Sequence, residues 1–523
     1  MDQALPPRGT ALLLALAAGL LLFRLGAVPL LGPDEPRYAR VAVEMHRAGE
    51  WVRPTLRGEP WLEKPPLYYW LAGAAFRLLG ENETAARLPS ALAGVFLVGT
   101  TAFVGARLFG AAAGLHAGFV LATSLLPFAF GRAASMDMLL AAAVTAGIGL
   151  LGLGILGIGG RLTVPAAFAF MGLAALAKGP LGVLLPALVA AGYLAAARDG
   201  RALRAILSPA GLLAFLVVAG PWYVAILRDQ GERFMDVFLL NHNVARFTST
   251  IHQHPGPPVY YVPIVLLGLF PWSGLLLPGL GGLRPRRERA DLFVLCWLAL
   301  PFVFFSLAGS KLPGYVLPCL PPLALVMGRA AAGLQAGEAG TRFGTGPRAV
   351  AVVGVVLGAL LLTTPAALRF ALGEPDWALA VPFALWCVVV ALGFSRRVGR
   401  DPGAALRLLR VGGAGALLLL TLAAPPILAR RESGRRLFVP AMGREVLVWG
   451  AWRTAWMAGY FYNDGRVREV SDVTDIDAAV DRGPALVLAG PGERRQLENA
   501  PALVARLLAE GPRGNALLRL ERR

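Results

Sequence analysis

Cysteine, histidine and charge are all scarce in this sequence of 523 residues. The three cysteines, Cys296, Cys319 and Cys387, sit in apolar runs and leave one unpaired, which excludes a disulfide scaffold. The five histidines all precede residue 255, so a zinc-finger pattern is absent. Charged residues make up 16% of the chain, against about 25% in an ordinary soluble domain. Hydrophobic residues make up 56%, which excludes intrinsic disorder and points to lipid as the solvent for most of the chain. Acidic residues are fewer than basic ones, giving a net charge of +18. In a soluble protein that balance suggests nucleic acid, but in a membrane protein it is the arginine excess of cytoplasmic loops. No internal period of 20–50 residues is present, so a solenoid is not expected.

A spanning helix needs about 20 mostly apolar residues. About thirteen segments qualify: 11–31, 88–108, 112–131, 136–159, 163–177, 180–197, 208–227, 259–279, 291–309, 312–333, 348–368, 376–395 and 408–428. The first is expected to be a retained anchor, because its apolar run is long for a signal peptide and no cleavage site is clear. Lys178-Gly179-Pro180 interrupts 163–197, which reads either as two helices meeting at a tight turn or as one broken helix. With the N-terminus inside, the inner loops carry Arg161, Arg198, Arg201, Arg204, Arg284, Arg286, Arg287, Arg289, Arg396, Arg397 and Arg400 among others. The outer connections after the first carry roughly half as many basic residues, so the positive-inside rule predicts a cytoplasmic N-terminus and an external C-terminus.

Two outer connections, 32–87 and 228–258, are long and dense in charged, aromatic and proline residues. Arg37–Met45 has an amphipathic helical pattern. After residue 429 charges of both signs appear. Val446–Trp449 and Ala485–Ala489 read as buried strands, and Asp472–Asp481 and Arg494–Leu508 as helices. The expected architecture is an α-helical polytopic membrane domain, 1–429, followed by a small soluble α/β domain, 430–523. The nearly balanced charge of the second gives no reason to expect nucleic acid.

The first loop opens with Gly32-Pro33-Asp34-Glu35-Pro36-Arg37-Tyr38. Adjacent carboxylates at a membrane surface could accept a proton from an attacking hydroxyl or bind a cation, or Asp34 could simply cap a helix. The loop ends with Trp61-Leu62-Glu63-Lys64-Pro65-Pro66-Leu67-Tyr68-Tyr69-Trp70. The double proline fixes an extended backbone, and Lys64 could hold a phosphate as a point charge. Tyr68, Tyr69 and Trp70 fit an interfacial aromatic belt. Asp137 stands at the outer end of a span, as a functional carboxylate or as a partner of Arg132. Arg37, Lys64, Lys178 and Lys311 share one predicted face, which suits an anionic head group; snorkelling is the plainer explanation for each alone. The second loop supplies Asn241-His242-Asn243, Arg246-Phe247 and His252-Gln253-His254. Near a carboxylate such as Glu63, His-x-His could hold a metal or serve only as hydrogen-bonding groups.

These motifs together resemble the aminoarabinose transferase-like enzymes, integral-membrane glycosyltransferases of the GT-C class related to protein O-mannosyltransferases. The resemblance runs from Gly32–Tyr38 and Glu63–Pro66 through Lys178-Gly179, Asn241-His242, Arg246-Phe247, His254 and Tyr260-Tyr261 to Lys311-Leu312-Pro313-Gly314-Tyr315. It implies an inverting transferase that takes a sugar from a polyisoprenyl (undecaprenyl) phosphate donor at the periplasmic face of a bacterial inner membrane. The acceptor would be lipid A or another cell-envelope glycan or lipid. Asp34 would be the base or an acceptor-orienting carboxylate, with Asp137 as second acid and Glu35 beside it. Arg37, Lys64, Lys178, Lys311 and Tyr315 would hold the leaving phosphate. The family's metal, zinc or magnesium, would map to Glu63 with His254 or His242. A protein O-mannosyltransferase is the nearest alternative. A lipid-linked sugar transporter is the next, but no inverted repeat or mid-membrane charge pattern is apparent.

Overall fold

The computed structural model describes residues 4–238, 256–337 and 377–523. The helices are α1 (Pro7–Leu22), α2 (Asp34–Ala48), α3 (Leu67–Leu79), α4 (Glu83–Phe109), α5 (Ala111–Ala122), α6 (Leu125–Gly131), α7 (Met136–Ile155), α8 (Thr163–Lys178) and α9 (Leu181–Ala197). They continue as α10 (Gly200–Ile206), α11 (Pro209–Phe234), α12 (Tyr261–Gly268), α13 (Leu276–Gly281), α14 (Arg289–Leu307), α15 (Leu320–Gln335), α16 (Trp377–Arg397) and α17 (Pro402–Arg431). Among the described residues six helices are long and apolar enough to cross a membrane, or up to eight if each bent pair is one span. Three further expected spans, α1, α8 and α9, are shorter apolar helices. The expected span at 348–368 lies outside the described residues, and that at 376–395 coincides with α16. The chain is a multi-pass membrane protein.

Two expected straight spans are bent. The segment 112–131 breaks into α5 and α6 at 62°. There Thr123 and Ser124 donate their hydroxyls to the carbonyls of Phe119 and Val120, and Pro127 enters the next turn. The segment 259–279 bends by 112° where Phe270-Pro271 interrupts it. At 163–197 the turn reading holds: α8 and α9 are separate helices joined through Gly179 at φ +78°. Gly182 then lets α9 lie on α8, because a Cβ there would meet the Ala174 and Ala175 backbone within 2.4 Å.

The amphipathic pattern becomes α2, which buries Tyr38, Ala39, Val41, Ala42, Val43 and Met45 and ends at Gly49 with φ +64°. A short hairpin, β1 (Thr55–Leu56) and β2 (Glu59–Pro60), follows it.

Beyond α17 the chain forms a five-stranded sheet. Its strands are β3 (Val446–Trp449), β4 (Val467–Glu469), β5 (Ala485–Ala489), β6 (Leu503–Glu510) and β7 (Ala516–Arg522), in the order β4-β3-β5-β7-β6. β3 pairs parallel with β4 and β5, and β7 antiparallel with β5 and β6. The expected helix at Asp472–Asp481 is α21 (Val473–Val480), capped by Asp472. It follows three short helices: α18 (Arg435–Phe438), α19 (Arg453–Met457) and α20 (Gly459–Tyr462). The expected helix at Arg494–Leu508 is a correction. Helix α22 (Pro491–Glu498) stops before Asn499-Ala500-Pro501, and the rest is strand β6.

Candidate active site

Asp34 and Glu35 open α2, but their side chains do different things. The helix cap is Pro33 and no side chain caps it, so Asp34 is not the capping residue the sequence allowed. Its carboxylate is half exposed and accepts from the Arg37 guanidinium at 2.5 Å. Glu35 is buried. It accepts from Arg87 Nε at 2.9 Å and Nη2 at 2.7 Å, and from the backbone N–H of Leu31 and of Ala134, each at 2.6 Å. Arg87 spends its remaining donors on the carbonyls of Leu25, Val28 and Pro29. This buried, bidentate pair therefore ties the approach to α2, helix α4 and the turn before α7 to one point. Arg87 is a residue that the sequence reading missed; nothing in its span distinguishes it from a snorkelling arginine.

The second arm of the site is braced from α2. Glu44 accepts from Arg40 Nε at 2.7 Å, Thr55 Oγ1 at 3.0 Å, and the backbone N–H of Arg57 and Gly58 at 2.8 and 3.1 Å. That fixes the hairpin, which leads directly into Trp61-Leu62-Glu63-Lys64. Arg37 stacks its guanidinium over Trp61 at 5.0 Å and Tyr38 at 5.4 Å. Burial opposes the Arg37 charge, but the carboxylates of Asp34 and Glu63 beside it outweigh that, so its pKa is raised and it stays a cation. The interfacial-belt reading fails for two of its three residues. Tyr68 and Tyr69 point inward, with Tyr68 donating to the Ala86 carbonyl and Tyr69 accepting from Trp61 Nε1. Lys64 is buried too, at 8% exposure, which is incompatible with snorkelling.

The third arm comes from the far side of the bundle. Asp137, in the first turn of α7 behind the cap Ser135, forms a short ion pair with Lys178 at the end of α8. Arg132, its alternative partner, instead donates to the carbonyls of Leu20, Leu21, Phe23 and Arg24 and so closes the end of α1. Lys178 sits over the Tyr315 ring at 5.0 Å, and Lys64 also acts electrostatically on Asp137. Gly314 permits this closeness: a Cβ there would stand 3.2 Å from Asp137 Cγ and 2.7 Å from the Phe130 ring. Lys311 is buried at 6% exposure and donates to the Ala308 carbonyl at 2.6 Å. Tyr38 lies at the hub, under the influence of Asp34, Arg37, Asp137 and Glu63. Its phenol is pushed up by burial first and by Asp34 next, which keeps it a hydrogen-bond donor.

Asp34, Arg37, Glu63, Lys64, Asp137, Lys178 and Tyr315 are thus linked, with Lys311 on the segment that carries Tyr315. His242 and His254 lie outside the described residues. Among the described residues no three His, Cys, Asp or Glu side chains come together as metal ligands. An apolar groove of about 540 Å³ opens between α3, α4, α7 and α8, lined by Leu71, Leu92, Phe96, Leu139, Phe170 and Leu173 among others. Leu139 and Leu173 share helices with Asp137 and Lys178, within about one and a half turns of them.

The profile of the dolichyl-phosphate-mannose-protein mannosyltransferases matches residues 63–224. The chain is 33% identical over 404 residues to the undecaprenyl phosphate-alpha-4-amino-4-deoxy-L-arabinose arabinosyl transferase of Pseudomonas aeruginosa, covering 74% of this chain and 70% of that one. It is 32% identical over 312 residues to the same-named protein of Edwardsiella ictaluri, covering 57% and 56%. The chain thus spans little more than half the length of that second relative. The crystal structures of ArnT from Cupriavidus metallidurans superpose over 97% of both chains, with TM-scores of 0.76 for the form bound to undecaprenyl phosphate and 0.77 for the apo form. At 23% and 24% identity they establish the shared fold.

Proposed function

Because the chain belongs to the undecaprenyl phosphate-aminoarabinose arabinosyl transferase family, we propose that it is an inverting glycosyltransferase using a polyprenyl-phosphate sugar as donor. The observation that carries this is the gathering of Lys64, Lys178 and Arg37 beside an exposed carboxylate, next to an apolar groove. A phosphate on a long hydrocarbon tail needs both parts. The groove would take the first isoprene units and the cations the phosphate.

In the reaction, an acceptor oxygen attacks the anomeric carbon in line with the leaving phosphate. The new glycosidic bond forms as the carbon–oxygen bond to phosphate breaks, and that bond's electron pair leaves on the phosphate. Arg37, Lys64, Lys178, Lys311 and the Tyr315 hydroxyl supply positive charge and a donor where negative charge develops. Asp34 takes the acceptor proton when the acceptor is a hydroxyl. When the acceptor is itself a phosphate, no strong base is needed and Asp34 orients the sugar. Asp137 holds Lys178 in place, and Glu35 acts as a positioning residue through Arg87. A divalent metal, where one is bound, would neutralise charge on the donor phosphate. Glu63 with His254 or His242 would be the ligand set, and the guanidinium of Arg37 already acts on Glu63.

The acceptor we favour is lipid A or another envelope lipid or glycan, reached from the periplasmic face of the inner membrane. The N-terminus is then cytoplasmic, and residues 430–523 form a periplasmic domain beside the membrane domain, 1–429. The mannosyltransferase profile match makes a protein acceptor the second reading. Purified protein would be given a panel of undecaprenyl-phosphate sugars with lipid A or an acceptor peptide, and products followed by mass spectrometry. The expected result is consumption of one donor with lipid A, falling about 10²–10³-fold in Lys64→Met. Turnover with peptide alone would select the second reading, and full turnover in Lys64→Met would remove the phosphate site.

A further inference from the structure

The end of the bundle opposite the proposed active site carries a second basic feature. An open cleft of about 480 Å³ lies between the end of α7, the start of α8, α10 and the start of α11. Its lining includes Arg161, Arg201, Arg204, Val164, Pro165 and Ser208, and no acidic residue. We propose that this cleft binds the phosphate headgroup of an anionic phospholipid. The proposal is independent of the reading given above for the transferase site.

Arginine-rich inner loops are common in membrane proteins, so the cleft must differ from its surroundings to carry weight. It does so by convergence: three guanidiniums line one cleft whose wall holds no carboxylate. Arg289 is paired with Asp199 at 2.7 Å, and Arg329 with Glu288 at 2.8 Å and with Asp291. Asp199, the acid nearest the cleft in sequence, is fully engaged, since it also caps α10 through the Arg201 N–H. Among the described residues, Arg161, Arg201 and Arg204 have no carboxylate partner. The first turns of α8 and α11 face the same cleft through Val164, Pro165 and Ser208, and neither contains an acidic residue. Their N-terminal dipole ends add to the three guanidiniums.

The position selects a lipid over a soluble anion. Helix α7 runs from Asp137 in the transferase site to Gly154 in the cleft, about 26 Å at about 1.5 Å per residue. That is close to the roughly 30 Å of a bilayer's hydrocarbon core. The cleft therefore opens at the other membrane surface, with apolar Val164 and Pro165 in its wall for the start of an acyl chain. Basic pockets between spans are suited to such headgroups, each arginine being worth about 1 kcal/mol, or on the order of fivefold in affinity.

The test is thermal unfolding of the full chain in neutral detergent, titrated with short-chain phosphatidylglycerol, phosphatidylcholine or inorganic phosphate. Phosphatidylglycerol is expected to raise the midpoint saturably and phosphatidylcholine to leave it unmoved. The triple variant Arg161→Gln/Arg201→Gln/Arg204→Gln should need on the order of a hundredfold more phosphatidylglycerol. Arg286→Gln, outside the cleft, should titrate like the unsubstituted protein. If the triple variant does not fold, each single variant should show a shift of about fivefold. Titration unchanged in these variants would overturn the site, and an equal, competing effect of inorganic phosphate would overturn the lipid as its occupant.

Discussion

Asp34 and Glu35 are neighbours in sequence with opposite chemical prospects. Glu35 has every lone-pair direction occupied by Arg87 and two backbone amides, whereas Asp34 faces solvent with one arginine beside it. Glu35→Gln should leave Arg87 as a buried, unpaired cation and cost about 3–5 kcal/mol of stability. Asp34→Asn should cost no more than about 1 kcal/mol, since Asp34 itself is half exposed and the Asn amide oxygen can still accept from Arg37. Its turnover should nevertheless fall about 10²–10⁴-fold with a hydroxyl acceptor if Asp34 is the base. Thermal unfolding and turnover measured on both variants separate the two roles; an unstable but active-per-folded-molecule Asp34→Asn would reverse them. The sequence displays both as loop carboxylates before a proline. It cannot display burial, because Arg87, which decides the matter, lies 52 positions away.

Whole elements bring the site together more than any one side chain does, and glycines set how closely they approach. The segment Lys311–Tyr315 reaches Asp137 only because Gly314 has no side chain. Gly314→Ala should push this segment off α7 by a fraction of an ångström to an ångström. Displacements on that scale cost up to about 100-fold in rate, so a fall in kcat/KM of roughly 10–100-fold is expected, with about 1–3 kcal/mol of overpacking. Gly281→Ala, where a Cβ meets nothing within 4 Å, is the control and should leave both unchanged. Loss of stability without loss of kcat/KM in Gly314→Ala would show that this contact is packing alone. Hydropathy made the membrane helices legible, and proline and glycine made the α8–α9 turn legible. The α5–α6 bend was not, since Thr123 and Ser124 act through hydrogen bonds back to their own helix. Residues 503–508 read as helix because an edge strand with polar residues lacks a clean period of two; its partner β7 supplies the order.

At the scale of the whole molecule, the C-terminal sheet is fastened to the helix that carries Asp34 and Arg37. The Tyr462 hydroxyl donates to Glu83 at 2.9 Å and accepts from the Leu30 N–H at 2.7 Å. Arg435 reaches the same Glu83 at 2.9 Å, and Asp464 accepts from Arg40 at 2.5 Å and Arg47 at 3.0 Å. None of this was readable from sequence, where residues 30 and 462 belong to different segments and only the fold joins them. Burial alone would raise the Asp464 pKa, but the hydrogen bond and charge of Arg40, with Arg47, hold it below the ordinary carboxylate value. A depressed folded-state pKa contributes stability that is complete above the unfolded value, about 3.9, and is lost as pH falls through the folded one. Docking should therefore be insensitive to pH from about 5 to 8 and loosen only in stronger acid. Asp464 is nearly half exposed, so the contribution is discounted for screening to about 1 kcal/mol, or roughly fivefold in opening. Asp464→Asn should show that faster opening already at neutral pH, read as hydrogen exchange in the peptides covering residues 25–48 and 459–466. Because Arg40 also holds Glu44, and Glu44 the hairpin before Lys64, the same variant should lose turnover modestly by loosening the first two of the site's three arms. Protection at residues 25–48 that is equal in the two proteins at neutral pH would mean that the sheet rides on α2 without helping to hold it.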